Sequence, residues 1–182
     1  MPTAIKQGNV VEIFEVLFGD NTRIKQVAEA LDASTAFIAG RFVDNEGNPK
    51  AWMVCDLPFA AGAGAALTMI PPDTVKESIR AEKLSDNLDE NLREVMNICG
   101  SIFQTVLETQ VRFDNLIPSG DEVFAGGLTA STFEIQLPRY GSGKITLLSQ
   151  TIPLNALWSS EGVQGNKSKF LANTFSATAI RQ

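Results

Sequence analysis

The segment from Ser85 to Thr109 constrains the fold of this chain more than any other. Its apolar residues recur at steps of three and four, and they are Leu88, Leu92, Val95, Met96, Cys99, Ile102, Phe103 and Val106. That spacing places them on one continuous stripe of a helix, which must be buried against another layer of the fold. The sequence therefore predicts one long amphipathic helix as the main helical element.

A second, polar stripe runs along the same predicted helix, through Glu90, Glu94, Asn97, Ser101, Gln104 and Glu108. At about 100° per residue the two stripes point in nearly opposite directions. Glu94 and Asn97 are thus expected to be exposed neighbours, one turn apart. The simplest interpretation is an ordinary solvated helix face. However, Asn97 and Gly100 are poor helix formers in the middle of the longest helix, where stability requires neither.

The rest of the chain alternates between predicted helices and strands. Apolar spacing with glycine or proline stops predicts three further helices, namely Lys6–Phe18, Phe59–Ile70 and Thr74–Glu82, the last capped by Asp73. β-Branched and aromatic runs predict two hairpins and one more strand, namely Thr35–Val43 with Lys50–Leu57, Phe133–Leu137 with Lys144–Ile152, and Val111–Leu116. The turns are assigned to residues 44–49 and to Gly141-Ser142-Gly143. Ile24–Leu31 is ambiguous between helix and strand.

This order predicts an α+β fold in a single domain, residues 1–152, followed by a tail of uncertain structure, residues 153–182. We expect a largely antiparallel sheet with the long helix and a partner helix packed on one face. A helix precedes a hairpin in each half of the chain, which indicates a weak internal duplication.

Composition excludes several classes of function. The chain has no histidine, which removes Ser-His-Asp and Cys-His catalysis, haem ligation and most catalytic zinc sites. A net charge of -6 without a Lys/Arg cluster argues against binding nucleic acid or an anionic membrane. Two cysteines without metal-ligand spacing, no signal peptide and no long apolar run suggest a cytoplasmic protein.

The string LDENLREVMNICGSIFQTVL, residues 88–107, resembles the long helix of the CheC/CheX/FliY family of bacterial chemotaxis phosphatases. The family signature is Glu, two residues and Asn, usually followed by an apolar residue and Gly, with a Pro about two dozen residues later. Glu94, Asn97 and Gly100 match this signature. Pro118 follows Asn97 with twenty residues between them, slightly fewer than usual, and Glu90 stands where the family tends to carry Asp or Ser. The resemblance covers roughly residues 6–152.

Some members of the family carry a second copy of the signature in the first helix. The corresponding string here is Glu12-Ile13-Phe14-Glu15, with Glu15 where Asn would be needed. The resemblance therefore implies one active centre, as in a CheX-like member.

The resemblance implies that the chain removes the phosphoryl group from the aspartyl phosphate of a CheY-like response regulator, in chemotaxis or related two-component signalling. Asn97 would position the attacking water, and Glu94 would pair with a lysine of the receiver domain. Glu90 and Ser101, on the same stripe, are expected to contact this partner. No cofactor or metal of the chain itself is implied, because the regulator supplies Mg²⁺.

Two alternatives remain open at this stage. The chain could be a non-catalytic binding module, like the related CheC- or FliM-like domains of the flagellar switch, with Glu94 and Asn97 kept only as a docking surface. It could also be a dimerising scaffold without a receiver partner. The family makes a homodimer plausible in either case.

Overall fold

The computed structural model describes residues 4–119, 123 and 127–150 of the chain. The described part contains four helices and six strands. The helices are α1 (Gln7–Phe18), α2 (Leu57–Leu67), α3 (Pro72–Ala81) and α4 (Asp86–Phe103). The strands are β1 (Arg23–Val27), β2 (Ile38–Val43), β3 (Pro49–Cys55), β4 (Arg112–Pro118), β5 (Leu128–Leu137) and β6 (Gly141–Gln150). This is the α+β architecture that the sequence predicts.

The six strands form one antiparallel sheet in the order β1-β5-β6-β3-β2-β4. At its centre β3 and β6 join the two hairpins, with Val54 opposite Thr146 and Cys55 opposite Ile145. Exchanging β1 with β4, β2 with β5, and β3 with β6 reverses this order, so the arrangement is equivalent when the sheet is read from either edge. Each half is a helix, a strand and a hairpin, and each half's single strand pairs with the other half's hairpin. The predicted duplication is thus present as two interlocked halves.

The main core lies between one face of the sheet and the helices. Its larger side chains include Phe14 of α1, Phe59 of α2, Phe103 of α4, and Phe42 and Phe133 of the sheet, each with an exposed fraction of zero. Helix α2 is composed largely of Ala and Gly, so it can lie deep in this layer. A smaller apolar cluster on the other face contains Leu31, Ala39, Trp52, Val54, Val123 and Leu148.

The junction between α2 and β6 shows how closely the layers approach. Asp56 caps α2 by accepting a hydrogen bond from the backbone N–H of Phe59 at 2.8 Å, and its second oxygen accepts from the N–H of Lys144 at 2.9 Å. A Cβ atom at Gly143 would lie 2.3 Å from the backbone nitrogen of Phe59. Gly143 is therefore required for this contact.

The predicted end of the long helix is wrong. Helix α4 ends at Phe103, not at Thr109, because the chain turns there to reach the edge strand β4. The backbone N–H groups of Val106 and Leu107 both donate to the Phe103 carbonyl, and the turn buries Leu107. Val106, predicted to be buried, is only half-buried.

Other element boundaries also differ from the prediction. The first half of the ambiguous segment, residues 24–27, belongs to the edge strand β1, because pairing with β5 outweighs its helix-forming residues, whereas residues 28–31 form neither helix nor strand. The second hairpin turns at residues 138–140, and the glycines assigned to that turn begin β6. Strand β4 continues through Pro118, which is tolerated at a sheet edge. Asp73 does not cap α3, which begins after Pro71, but forms an ion pair with Lys76 at 2.9 Å.

Candidate functional site

Helix α4 is held on one side by α2. The side-chain amide of Asn91 donates to the Gly64 carbonyl at 2.8 Å and to the Thr68 hydroxyl at 2.7 Å. A Cβ atom at Gly64 would lie 2.6 Å from the carbonyl oxygen of Leu88. The two helices therefore touch backbone to backbone at this point.

On the other side a chain of polar contacts ties α4 to the sheet edge. The guanidinium of Arg93 donates from Nε to Asp89 at 2.8 Å, one turn earlier in the helix. Its Nη1 atom donates to the side-chain oxygen of Asn115 in β4 at 2.6 Å. Because α4 is held from both flanks, its outward face presents side chains in a defined geometry.

That outward face carries the residues singled out from the sequence. Glu90, Glu94, Asn97 and Ser101 are all exposed. The opposite stripe is buried at Leu92, Val95, Cys99, Ile102 and Phe103, as the spacing predicts. We call Glu90, Glu94, Asn97 and Ser101 the polar stripe.

The polar stripe keeps most of its hydrogen-bonding capacity free. The side chains of Glu90, Glu94 and Asn97 make no hydrogen bond or ion pair with any residue in the described ranges. The Ser101 hydroxyl donates back to the Ile98 carbonyl at 3.0 Å, the usual local bond of a helical serine. Glu94 and Asn97 are thus available to a partner or to water.

The amide of Asn97 can both donate to and accept from one water molecule, and it carries no charge. The carboxylate of Glu94, one turn earlier, can bind a cation such as a lysine ammonium. The pair is therefore suited to orient a water and to dock a basic group.

Sequence reasoning did not single out Ile98 and Arg93 as site residues. Ile98 is 42% exposed beside Asn97, and Arg93 flanks the polar stripe on the β4 side. Ile98 could have been found from the sequence, since it is the apolar residue between Asn97 and Ser101 that lies off the buried stripe. The contact between Arg93 and Asn115 could not, because it depends on tertiary packing.

The first helix presents a different arrangement at the related positions. Glu12 is exposed, Glu15 is half-buried and Val16 is 81% exposed. No amide side chain stands in the place that Asn97 occupies in α4. Only α4 therefore carries the Glu-Asn pair within the described residues.

A cavity of about 460 Å³ lies elsewhere, at the start of α2 and the adjoining strands. Its charged lining residues are Glu29, Asp32, Asp56, Glu134 and Lys144, and none of its lining residues belongs to α4. Burial raises the pKa of Asp56 above its ordinary value, although its two backbone hydrogen bonds act in the opposite direction. The hydroxyl and N–H groups of Ser34 and Thr35 lower the pKa of Asp32 to about 2.

The described residues contain no group of three or more metal-ligating side chains that could hold an ion. Nor does any helix among them have the length and apolar character needed to cross a membrane.

Neither a protein-family model nor a curated protein matches the sequence. Solved structures do match the fold. The FliM middle domain from H. pylori aligns over 84% of this chain and 89% of its own, with a TM-score of 0.52 and 14% identity. A chain of the H. pylori FliM-SpeE complex aligns over 84% and 85%, with a TM-score of 0.53 and 13% identity.

A third similar structure is the CheX-CheY-BeF3-Mg²⁺ complex from Borrelia burgdorferi. It aligns over 78% of this chain and 92% of the matched chain, with a TM-score of 0.51 and 13% identity. At such identities the likeness shows the fold alone. The chain therefore has the fold of the family that includes the CheX protein and the FliM middle domain.

Proposed function

We propose that this chain is a cytoplasmic phosphatase that hydrolyses the aspartyl phosphate of a CheY-like response regulator, in chemotaxis or related two-component signalling. One observation carries the proposal. Glu94 and Asn97 lie exposed one turn apart on a helix held from both flanks, and neither has a partner within the described part of the chain.

An aspartyl phosphate is a reactive acyl phosphate, so a phosphatase needs to supply little beyond an oriented water. Asn97 would hold that water in line with the phosphorus atom through its amide oxygen and nitrogen. A neutral amide suits this role because a carboxylate would repel the phosphoryl oxygens. The regulator supplies the Mg²⁺ that neutralises the charge of the transition state.

Glu94 would set the register of the helix on its partner. A carboxylate without an internal ion pair can bind a receiver lysine in a charge-assisted hydrogen bond. Glu90 and Ser101 extend the same surface by one turn on either side. The solved complex of CheX with CheY supports a receiver as the partner, because it pairs a protein of this fold with CheY.

A non-catalytic binding module is the second candidate. The FliM middle domain shares the fold, and the first helix of this chain carries Glu15 where the second copy of the signature would need Asn. In that case Glu94 and Asn97 would serve docking alone. A dimerising scaffold would need neither residue.

The test compares Asn97→Ala and Glu94→Ala with matched controls in the same fold. Asn87→Ala removes another exposed asparagine of α4, and Glu77→Ala removes an exposed glutamate of α3. Single-turnover dephosphorylation and equilibrium binding are measured for each variant against phosphorylated receivers. We expect Asn97→Ala to slow the reaction about a hundredfold or more, with little loss of affinity. The two control variants should behave as the wild type does.

Glu94→Ala should weaken receiver binding as well as turnover, and the loss should shrink as salt concentration rises. An Asn97→Ala variant that dephosphorylates as fast as the wild type would exclude the water-positioning role. Receiver binding without any hydrolysis by the wild type would establish the binding-module alternative. If no receiver bound the wild type, the dimerising scaffold would be the remaining candidate.

A further inference from the structure

Ile98 is an apolar side chain exposed on the functional face of α4. Only four large hydrophobic residues are exposed in the part of the chain that the structure describes, and they are Val16, Met69, Ile79 and Ile98. A single exposed apolar residue is common on protein surfaces and needs no explanation by itself. What distinguishes Ile98 is its position.

Helical geometry places Ile98 against the polar stripe. It follows Asn97 directly, lies one turn after Glu94, and lies one turn before Ser101, whose hydroxyl bonds to the Ile98 carbonyl. An apolar side chain rimmed by a free carboxylate, an amide and a hydroxyl has the composition of a small recognition patch, with an apolar centre and a polar rim.

Folding stability does not account for an isoleucine at this position. Ile98 is 42% exposed, whereas the buried apolar contacts of α4 are made by other side chains, among them Leu92, Val95, Met96, Cys99 and Ile102. A β-branched residue is also a weaker helix former than the Ala, Glu or Lys usual on exposed faces. The side chain thus adds apolar surface where the fold does not need it.

We propose that Ile98 is an apolar anchor for the partner that engages Glu94 and Asn97. This inference rests on the proposed function and specifies which chemical groups the receiver should present to α4. Glu90 and Glu94 have no ion-pair partner in the described residues, so the partner should present basic groups. Ile98 adds the requirement for an apolar side chain beside that basic group, at the rim of the phosphorylation site.

Ile98 has no polar side-chain atom and therefore takes no part in the reaction itself. Its contribution is to binding, through apolar surface removed from water on docking. Such a contribution is insensitive to salt, unlike that of Glu94. The two residues can therefore be separated experimentally, even though they are neighbours on the helix.

The experiment measures receiver affinity for Ile98→Ala, Ile98→Leu and Ile79→Ala at two salt concentrations. Ile79 is the matched control, being the same residue type at 38% exposure on α3. Alanine favours helix, so both alanine variants should fold. We expect Ile98→Ala to bind the receiver about fivefold more weakly at either salt concentration, with Ile98→Leu close to the wild type and Ile79→Ala unchanged.

Equal affinities for Ile98→Ala and Ile79→Ala would overturn the inference. A loss for Ile98→Ala that disappeared at high salt would also overturn it, because an apolar contact is not screened. The readout is binding, so it is independent of catalysis. If Asn97→Ala turned over the receiver at the wild-type rate, the proposed phosphatase activity would fail, while the Ile98 comparison would still decide whether the anchor exists.

Discussion

At the scale of single residues, Asn97 and Gly100 are poor helix formers in the middle of α4, and the structure separates their roles. Asn97 is exposed, and its side chain has no partner in the described ranges, so its amide is free to bind water or another molecule. Gly100 is buried, yet a Cβ atom there would meet the Phe42 ring at 3.6 Å and the Val111 carbonyl at 3.8 Å, which are ordinary contacts. Packing therefore does not require a glycine at position 100.

Gly100→Ala should accordingly stabilise the protein. Alanine gains helix propensity of up to about 1 kcal/mol over glycine in a helix interior, and its methyl group has room. The free energy of unfolding is measured by urea denaturation of the wild type and the variant. A destabilised Gly100→Ala protein would show that the space beside Phe42 is tighter than the structure indicates.

Asp32 provides a prediction about pH. Hydrogen bonds from Ser34 and Thr35 to one carboxylate oxygen lower the pKa of Asp32 to about 2 in the folded chain, from 3.8. A depressed folded-state pKa stabilises the fold above the unfolded-state pKa, and this stabilisation disappears as the pH falls through the folded-state value. The difference in melting temperature between wild type and Asp32→Asn should therefore be largest above about pH 4.

That difference should shrink steadily as the pH falls towards 2, where about half of the folded chains are protonated at Asp32 and the unfolded chain is almost fully protonated there. Thermal melts at pH 7, 4, 3 and 2 provide the measurement. A difference that stayed constant with pH would mean that Asp32→Asn destabilises the fold for a reason other than the lost charge, such as a changed turn geometry at residues 32–35.

At the scale of elements, the contact between α2 and α4 positions the polar stripe. Gly64 lets α2 approach the Leu88 carbonyl, and Asn91 bridges the two helices with two hydrogen bonds. The other flank of α4 depends on Arg93 and Asn115. The orientation of Glu94 and Asn97 is thus set by side chains that make no hydrogen bond to either of them.

Gly64→Ala should destabilise the protein, because its Cβ would lie 2.6 Å from a backbone oxygen that cannot rotate away. Forcing the helices apart costs about 1–3 kcal/mol in comparable overpacked sites. Urea denaturation of this variant beside Gly100→Ala gives an internal control, since the same substitution should have opposite effects at the two positions. Stabilisation at both positions would contradict the packing described for α2 and α4.

At the scale of the whole molecule, the two halves are interlocked. Strand β1 of the first half pairs with β5 in the hairpin of the second half. Strand β4 of the second half pairs with β2 in the hairpin of the first half. The central pairing of β3 with β6 then joins the halves into one sheet. Of the two related helices, α1 and α4, only α4 carries the Glu-Asn pair. The two halves therefore share a topology but differ in the side chains that their helices expose.

The proposed mechanism assigns the Mg²⁺ to the receiver, and this leads to a prediction for the whole protein. Titration calorimetry of the isolated chain should detect no tight Mg²⁺ binding, whereas dephosphorylation of the receiver should require Mg²⁺ held by the receiver. Stoichiometric metal in the chain purified without its partner would contradict this expectation. Full activity after chelation of Mg²⁺ would contradict the proposed mechanism.

The sequence alone determined the features that depend on local periodicity. The opposed stripes of α4 predict which of its residues are buried and which are exposed, because 3.6 residues per turn relate position to face without further information. The same reasoning predicts Glu94 and Asn97 as exposed neighbours. The α+β class and the first hairpin follow from strand propensity and turn residues in the same local way.

Only the tertiary structure decided the features that depend on contacts between distant parts of the chain. Helix α4 ends at Phe103 because the chain must turn to bury Leu107 and to place β4 beside β2. The ambiguous segment after α1 becomes β1 because the edge of β5 offers a partner for it. The hydrogen bond from Arg93 to Asn115 arises in the same way, since it depends on which strand the folded chain brings beside α4.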